Sequence, residues 1–155
     1  IELARSPWVR IEVVLHPNPA MANAAQLLLG GYPRIRMIPP LDHRAMVATM
    51  RSATLILSDS GGIQEEAPAL GIPLLVLRTK TERPEGIACG ASRLVGNDRD
   101  AIIREARSLL EDGAAYRAMA VPTLPFGDGK ASEKITAVIE DWLVRRGHER
   151  SCTIA

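Results

Sequence analysis

Aromatic side chains are nearly absent from this sequence: two tryptophans, two tyrosines and one phenylalanine make up 3% of its 155 residues. A chain so poor in flat rings offers no stacking platform for the bases of single-stranded nucleic acid. An excess of one charge sign is missing too. Lys and Arg number 19 against 18 Asp and Glu, and the net charge of +1 argues against nucleic-acid or membrane-surface partners. No apolar run approaches the roughly 20 residues that cross a bilayer. No charged segment followed by an apolar stretch marks a secretory leader. Only two cysteines occur, Cys89 and Cys152, without metal-ligand or redox spacing. They read as free thiols of a reducing, cytoplasmic compartment. The first residue is Ile1 rather than Met, so the expectation is a piece of something longer.

What remains is ordinary soluble composition, 46% hydrophobic and 24% charged, in a length that suits one domain with a proper core. Short apolar runs alternate with helical patterns. Strands are expected at "IEVVL" (11–15), "IRMI" (35–38), "TLIL" (54–57), "IPLLVL" (72–77) and "SRLVG" (92–96). Between them come helices over about 20–29, 42–52 with Asp42 as cap, 61–70, 84–89, and 98–110 with Asp98 or Asp100 as cap. A short helix to about residue 120 and a last one over about 132–146 follow. Strands alternating with helices through short loops mean an α/β fold: a Rossmann-like parallel sheet with helices on both faces. Such sheets take ligands beyond the carboxyl ends of their strands.

One stretch sits at such an end: "SDSGGIQEEAPALGIP", residues 58–73. A helix beginning at Ser60, Gly61 and Gly62 has free backbone N–H groups and the positive end of the helix dipole. A diphosphate fits there, and glycines allow close approach to the backbone. Glu65 and Glu66 point about 100° apart on the helix, so one of them at most faces the ligand, where vicinal ribose hydroxyls suit a carboxylate. The same residues also make an ordinary turn, with Asp59 or Ser60 as cap and a solvated pair of glutamates. Arg78, Lys80 and Arg83 follow the best strand at the same edge, either as phosphate partners or as a solvated loop. His16, in "HPNP", closes the first strand, and a lone histidine there is more often structural than catalytic. "PFGDGKAS" is either a second backbone cradle or a helix entry capped by Ser132. No nucleophile–base pair and no metal cluster is visible, and no cofactor is expected.

The long block "SDSGGIQEEAPALGIPLLVLRTKTERPEG" resembles the signature of the non-hydrolysing UDP-N-acetylglucosamine 2-epimerases. "LHPNP", "PPLDHRAMVATMRSA", "GASRLVG" and "PFGDGKAS" are similar to that family's other blocks, in the same order. The resemblance implies two Rossmann-like domains in the glycosyltransferase-B architecture, and an isomerase that interconverts UDP-N-acetylglucosamine and UDP-N-acetylmannosamine. Such an enzyme removes the sugar C2 proton, expels UDP to leave a glycal, and adds UDP back with the opposite C2 configuration. By the family pattern Ser60, Gly61 and Gly62 hold the diphosphate, Glu66 the ribose hydroxyls and Arg83 the phosphates, while Leu41 and Met46 line the uracil pocket. His16 matches a histidine of a second, regulatory UDP-sugar site in bacterial members. A cytoplasmic homodimer serving polysaccharide biosynthesis is also implied.

The sequence departs from the family at four places. An aromatic is usual at Met46, a tyrosine at His43, an acid at Thr79 and a threonine at Lys80. The family's catalytic carboxylates belong to an N-terminal domain absent from this sequence. Its catalytic histidine lies in an "HRREN"-like loop that does not occur here, and His16, His43 and His148 have other contexts. No catalytic residue is therefore assigned. The expectation is a single Rossmann-like UDP-binding domain over residues 1–155, the C-terminal part of a two-domain enzyme, lacking the first and central strand of its own sheet. The other readings are a hydrolysing 2-epimerase, a glycosyltransferase donor domain, which "TERPEG" disfavours, and a non-catalytic UDP-sugar binding module.

Overall fold

The structure is a computed structural model that describes residues 1–151; Cys152 lies outside the described residues. Two compact units divide the chain, one from Ile1 to Thr123 and one from Leu124 onward.

In the first unit, strands β1 (Ile11–Val14), β2 (Ile35–Ile38), β3 (Ile56–Ser58), β4 (Leu74–Val76) and β5 (Ser92–Leu94) alternate with helices. The helices are α1 (Pro19–Leu29), α2 (His43–Ser52), α3 (Gly61–Leu70), α4 (Pro84–Ala88), α5 (Arg99–Glu111) and α6 (Gly113–Met119), after a single 3-10 turn at Leu3–Arg5. Every strand pairing is parallel, as helical crossovers require.

Strand β4 explains the core. Its three residues Leu74, Leu75 and Val76 are fully buried, and alternation along a strand sends neighbours to opposite faces. Leu75 packs with Ala106 and Leu109 of α5 and Met119 of α6, while Leu74 and Val76 pack with Ala67 of α3. The sheet is thus covered on both faces, which is why "IPLLVL" is apolar throughout rather than alternating.

The β1–α1–β2 segment differs. No residue from 5 to 49 is buried, and Leu27 and Leu28 of α1 stand 86% and 71% exposed. Strand pairing is interrupted once: β1 pairs with β2, β3 with β4 and β4 with β5, but β1 and β3 do not pair. Two parallel sheets result, in which β1 and β3 each have only one hydrogen-bonded neighbour among the described residues.

Local chemistry sets the helix ends. Asn18, Asp42, Asp98 and Asp112 accept hydrogen bonds from first-turn N–H groups of α1, α2, α5 and α6. Helix α3 ends at Gly71, whose φ of +67° is left-handed and whose absent Cβ would lie 2.7 Å from Pro122 Cγ. Only glycine suits both conditions.

In the second unit, Asp128 accepts hydrogen bonds from the Lys130 N–H and Lys134 Nζ, each at 3.1 Å, and helix α7 runs from Ala131 to Ser151. Ile135, Val138, Ile139, Trp142 and Leu143, the apolar side expected from the sequence, stand 49% to 69% exposed.

Candidate functional site

The turn between β3 and α3 is built by Ser58, whose Oγ accepts the Ser60 N–H at 3.1 Å. Ser60 occupies the capping position of α3 with extended backbone, yet its side chain makes no capping hydrogen bond. Gln64 is the first residue of the helix whose N–H finds an acceptor, at Ser60 O. The N–H groups of Gly61, Gly62 and Ile63 therefore remain open, at the positive end of the helix dipole. Helices α1, α2, α5 and α6 all carry side-chain caps, so the plain capped turn is not the one that forms here.

Arg83 closes one side of this turn. Its Cζ and Nη2 both lie 3.6 Å from the position that a Cβ on Gly61 would occupy. The guanidinium reaches that place from the loop after β4, immediately before α4, whose first residue is Pro84. Glu65 Oε1 accepts from Arg83 Nε at 2.8 Å, and Glu82 lies 3.3 Å from Nη1. The hydrogen bond from Arg83 to Glu65, and the charge of that carboxylate, raise the guanidinium's pKa further above its already high value. It is a permanent cation at a helix N-terminus, a pairing that serves anions.

The two glutamates diverge as their helical spacing requires. Glu65 faces Arg83, and Glu66 Oε1 lies 3.2 Å from His43 Nε2 at the start of α2. Met46 follows His43 by one turn on the same helix, so it shares that face. Leu41 precedes the Asp42 cap, and both Leu41 and Met46 are half-buried. The α2 N-terminus and the α3 N-terminus thus meet through His43 and Glu66. His16 plays a different part: its Nδ1 accepts the Asn18 N–H at 3.0 Å, at the entry to α1, and no contact joins it to Ser60 or Arg83.

Behind the loop lies a polar connection that the sequence did not single out. Gln64 is only 2% exposed, its Nε2 donates to Ser60 O, and its Oε1 accepts from Thr81 Oγ1. Thr81 Oγ1 in turn accepts the Arg83 N–H at 3.0 Å. The partners are 17 residues apart, so spacing alone carries no sign of the contact. The one available hint is a glutamine one turn after Ser60, between the apolar Ile63 and Ala67.

Two shallow concavities adjoin the site beyond β4 and β5. One, of about 320 Å³, is lined by Leu77, Arg78, Thr79, Lys80 and Asn97. The other, of about 570 Å³, is lined mainly by Thr79, Lys80, Pro84, Ile87 and Leu94. Ser60, Gly61 and Glu66 line neither. Among the described residues no group of His, Cys, Asp or Glu is placed to hold a metal ion, and no helix is long and apolar enough to cross a membrane.

Parallel strands flanked by helices, with an uncapped helix N-terminus beside a cation at the strand ends, define a Rossmann-like α/β protein of the glycosyltransferase-B type. A family model for UDP-N-acetylglucosamine 2-epimerase matches residues 1–140. The chain belongs to that family, which is a family of isomerases. It is 48% identical over 134 residues to a probable UDP-N-acetylglucosamine 2-epimerase of Ralstonia solanacearum, covering 86% of this chain and 36% of that protein. It is 41% identical over 133 residues to the UDP-N-acetylglucosamine 2-epimerase of Escherichia coli K12, covering 86% and 35%. The crystal structure of the Neisseria meningitidis UDP-GlcNAc 2-epimerase bound to UDP-GlcNAc matches with a TM-score of 0.85 at 41% identity, over 90% of this chain and 38% of that one. The chain therefore spans little more than a third of the length of these relatives.

Proposed function

We propose that this chain is the UDP-binding C-terminal part of a non-hydrolysing UDP-N-acetylglucosamine 2-epimerase. The observation that carries the reading is the uncapped N-terminus of α3 with the Arg83 guanidinium beside Gly61. Ser60, Gly61 and Gly62 receive the diphosphate on open N–H groups, and Arg83 adds a fixed positive charge. Glu66 accepts the ribose hydroxyls, exchanging its His43 contact for them, while Leu41 and Met46 form the apolar wall for uracil. In the parent enzyme these groups have two tasks. They stabilise UDP as it leaves C2-deprotonated sugar, and they keep it in place for re-addition. Retention is what separates the epimerase from a hydrolysing relative.

The acid–base groups lie outside this chain, the carboxylates in the parent enzyme's N-terminal domain and the histidine in the "HRREN"-like loop, and this chain alone turns nothing over. The domain proposal follows from the sheet. A strand inserted between β1 and β3 gives the order β2–β1–insert–β3–β4–β5, the doubly wound arrangement with its first strand central. Such an insert also covers the half-exposed β1–α1–β2 segment. His16 belongs to a separate regulatory UDP-sugar site in this reading, and the parent enzyme works as a cytoplasmic homodimer.

Calorimetric titration with UDP tests the reading. Saturable binding by the chain, weakened about tenfold but still measurable in Glu66→Ala and in Arg83→Ala, is expected. Affinity unchanged by both substitutions refutes the site. Epimerisation of UDP-N-acetylglucosamine on mixing the chain with a segment carrying the missing two thirds, and none without it, tests the domain proposal. A chain that turns over alone, or a mixture that releases free N-acetylmannosamine instead, overturns it or moves it to the hydrolysing class.

A further inference from the structure

We propose that Gln64 and Thr81 are positioning residues that fix the Arg83 guanidinium over the N-terminus of α3 for a diphosphate. The inference rests on the UDP-binding reading above and adds to it two residues that the reading does not use.

The geometry is a directed chain of hydrogen bonds. The Arg83 N–H donates to Thr81 Oγ1 at 3.0 Å, the Thr81 hydroxyl donates to Gln64 Oε1, and the Gln64 amide donates to Ser60 O at 3.2 Å. Donor and acceptor roles agree at every link, because the threonine hydroxyl both gives and receives and the glutamine amide does so at opposite ends. The chain begins at the residue that carries the cation and ends on the carbonyl of the turn that the anion is to meet. It therefore sets the distance between the two halves of the site, which belong to different βα loops.

Burial makes the chain a brace rather than a surface contact. Gln64 is 2% exposed, and a buried amide left unpaired is costly, so its partners are held in place. Glu65 completes the arrangement from the other side by accepting from Arg83 Nε at 2.8 Å, which leaves Nη2 turned toward Gly61. A long arginine anchored at its backbone and at Nε loses little further freedom when an anion arrives. Without the brace, residues 78–83 form a loop whose cation is tethered only by the half-exposed Glu65 and the exposed Glu82.

Thr81→Val, which keeps shape and removes the hydroxyl, is the informative variant, because Thr81 is only half-buried and the change leaves the core intact. UDP affinity is expected to fall about tenfold. Thr81→Ser is expected to restore it. In an Arg83→Ala background, Thr81→Val is expected to change affinity by less than about twofold, since the hydroxyl acts through that arginine. A purely structural threonine weakens binding equally in both backgrounds, and that result overturns the proposal, as does unchanged affinity in Thr81→Val. Amide exchange at Arg83, measured without ligand, is expected to quicken at least tenfold in Thr81→Val while β4 stays protected. Unchanged exchange with UDP binding intact overturns the brace alone. Absence of UDP binding by the folded wild-type chain overturns the functional reading, and the positioning role with it.

Discussion

Glu65 Oε1 and Arg83 Nε lie 2.8 Å apart, joining the first turns of α3 to the loop after β4 across 18 residues of sequence. The carboxylate both aims the guanidinium and neutralises part of its charge. In the proposed UDP site, a diphosphate competes with that neutralisation. Glu65→Gln keeps an acceptor for Nε and removes the negative charge, so UDP binding is expected to tighten by about two- to fivefold at low salt. Calorimetry at two ionic strengths checks it; weaker binding in Glu65→Gln means that the charge aids binding rather than opposing it.

Glu66 makes a separable prediction. If its carboxylate serves the ribose, Glu66→Ala weakens UDP about tenfold and leaves 2′,3′-dideoxy-UDP unchanged. His43→Ala removes the competing contact at 3.2 Å and is expected to tighten UDP by about twofold. Equal losses for UDP and the dideoxy compound in Glu66→Ala would remove the ribose from this site.

The core predicts a sharp asymmetry in stability. Leu75 is fully buried among Ala106, Leu109 and Met119, so Leu75→Ala is expected to cost about 2–5 kcal/mol in urea unfolding. Leu27, 86% exposed on α1, is expected to cost less than about 0.5 kcal/mol when changed to Ala. Comparable losses at the two positions would show that α1 is covered in solution.

Acid acts on the second unit through Asp128. The side-chain hydrogen bond from Lys134 and the backbone hydrogen bond from Lys130 hold its carboxyl below the ordinary value. A depressed folded value means that the stabilisation is complete above the ordinary carboxylate range near pH 4 and is lost as pH falls through the lowered value. Carboxyl chemical shifts are expected to titrate Asp128 at lower pH in the wild type than in Lys134→Ala. Coincident midpoints would remove Lys134 as the cause.

Much of the fold is legible in the sequence. Strand β4 announced itself because four consecutive apolar residues, Leu74 to Leu77, preceded by Gly71 and Pro73, have few folded fates other than a strand buried on both faces. The helix start at Asp42 followed from the preference of aspartate for the N-cap, which for α5 left Asp98 and Asp100 both open until the structure put the cap at Asp98. The placement of a turn at Ser60, Gly61 and Gly62 after a buried strand was equally local, because it needs only neighbours in sequence.

Tertiary structure decided the rest. Whether Ser60 capped its own helix or left the N–H groups open depended on Ser58 and on the backbone path out of β3. Which glutamate met Arg83, and which met His43, depended on how α2 and the loop after β4 dock on α3. The brace through Gln64 and Thr81 joins residues that no periodicity links. Strand pairing is a tertiary matter too: strand propensity belongs to a few residues, but pairing needs a neighbour, and among the described residues none stands between β1 and β3. Sequence determined the elements because their causes are short-range; the site's geometry came from contacts between them, whose energies depend on distance in space.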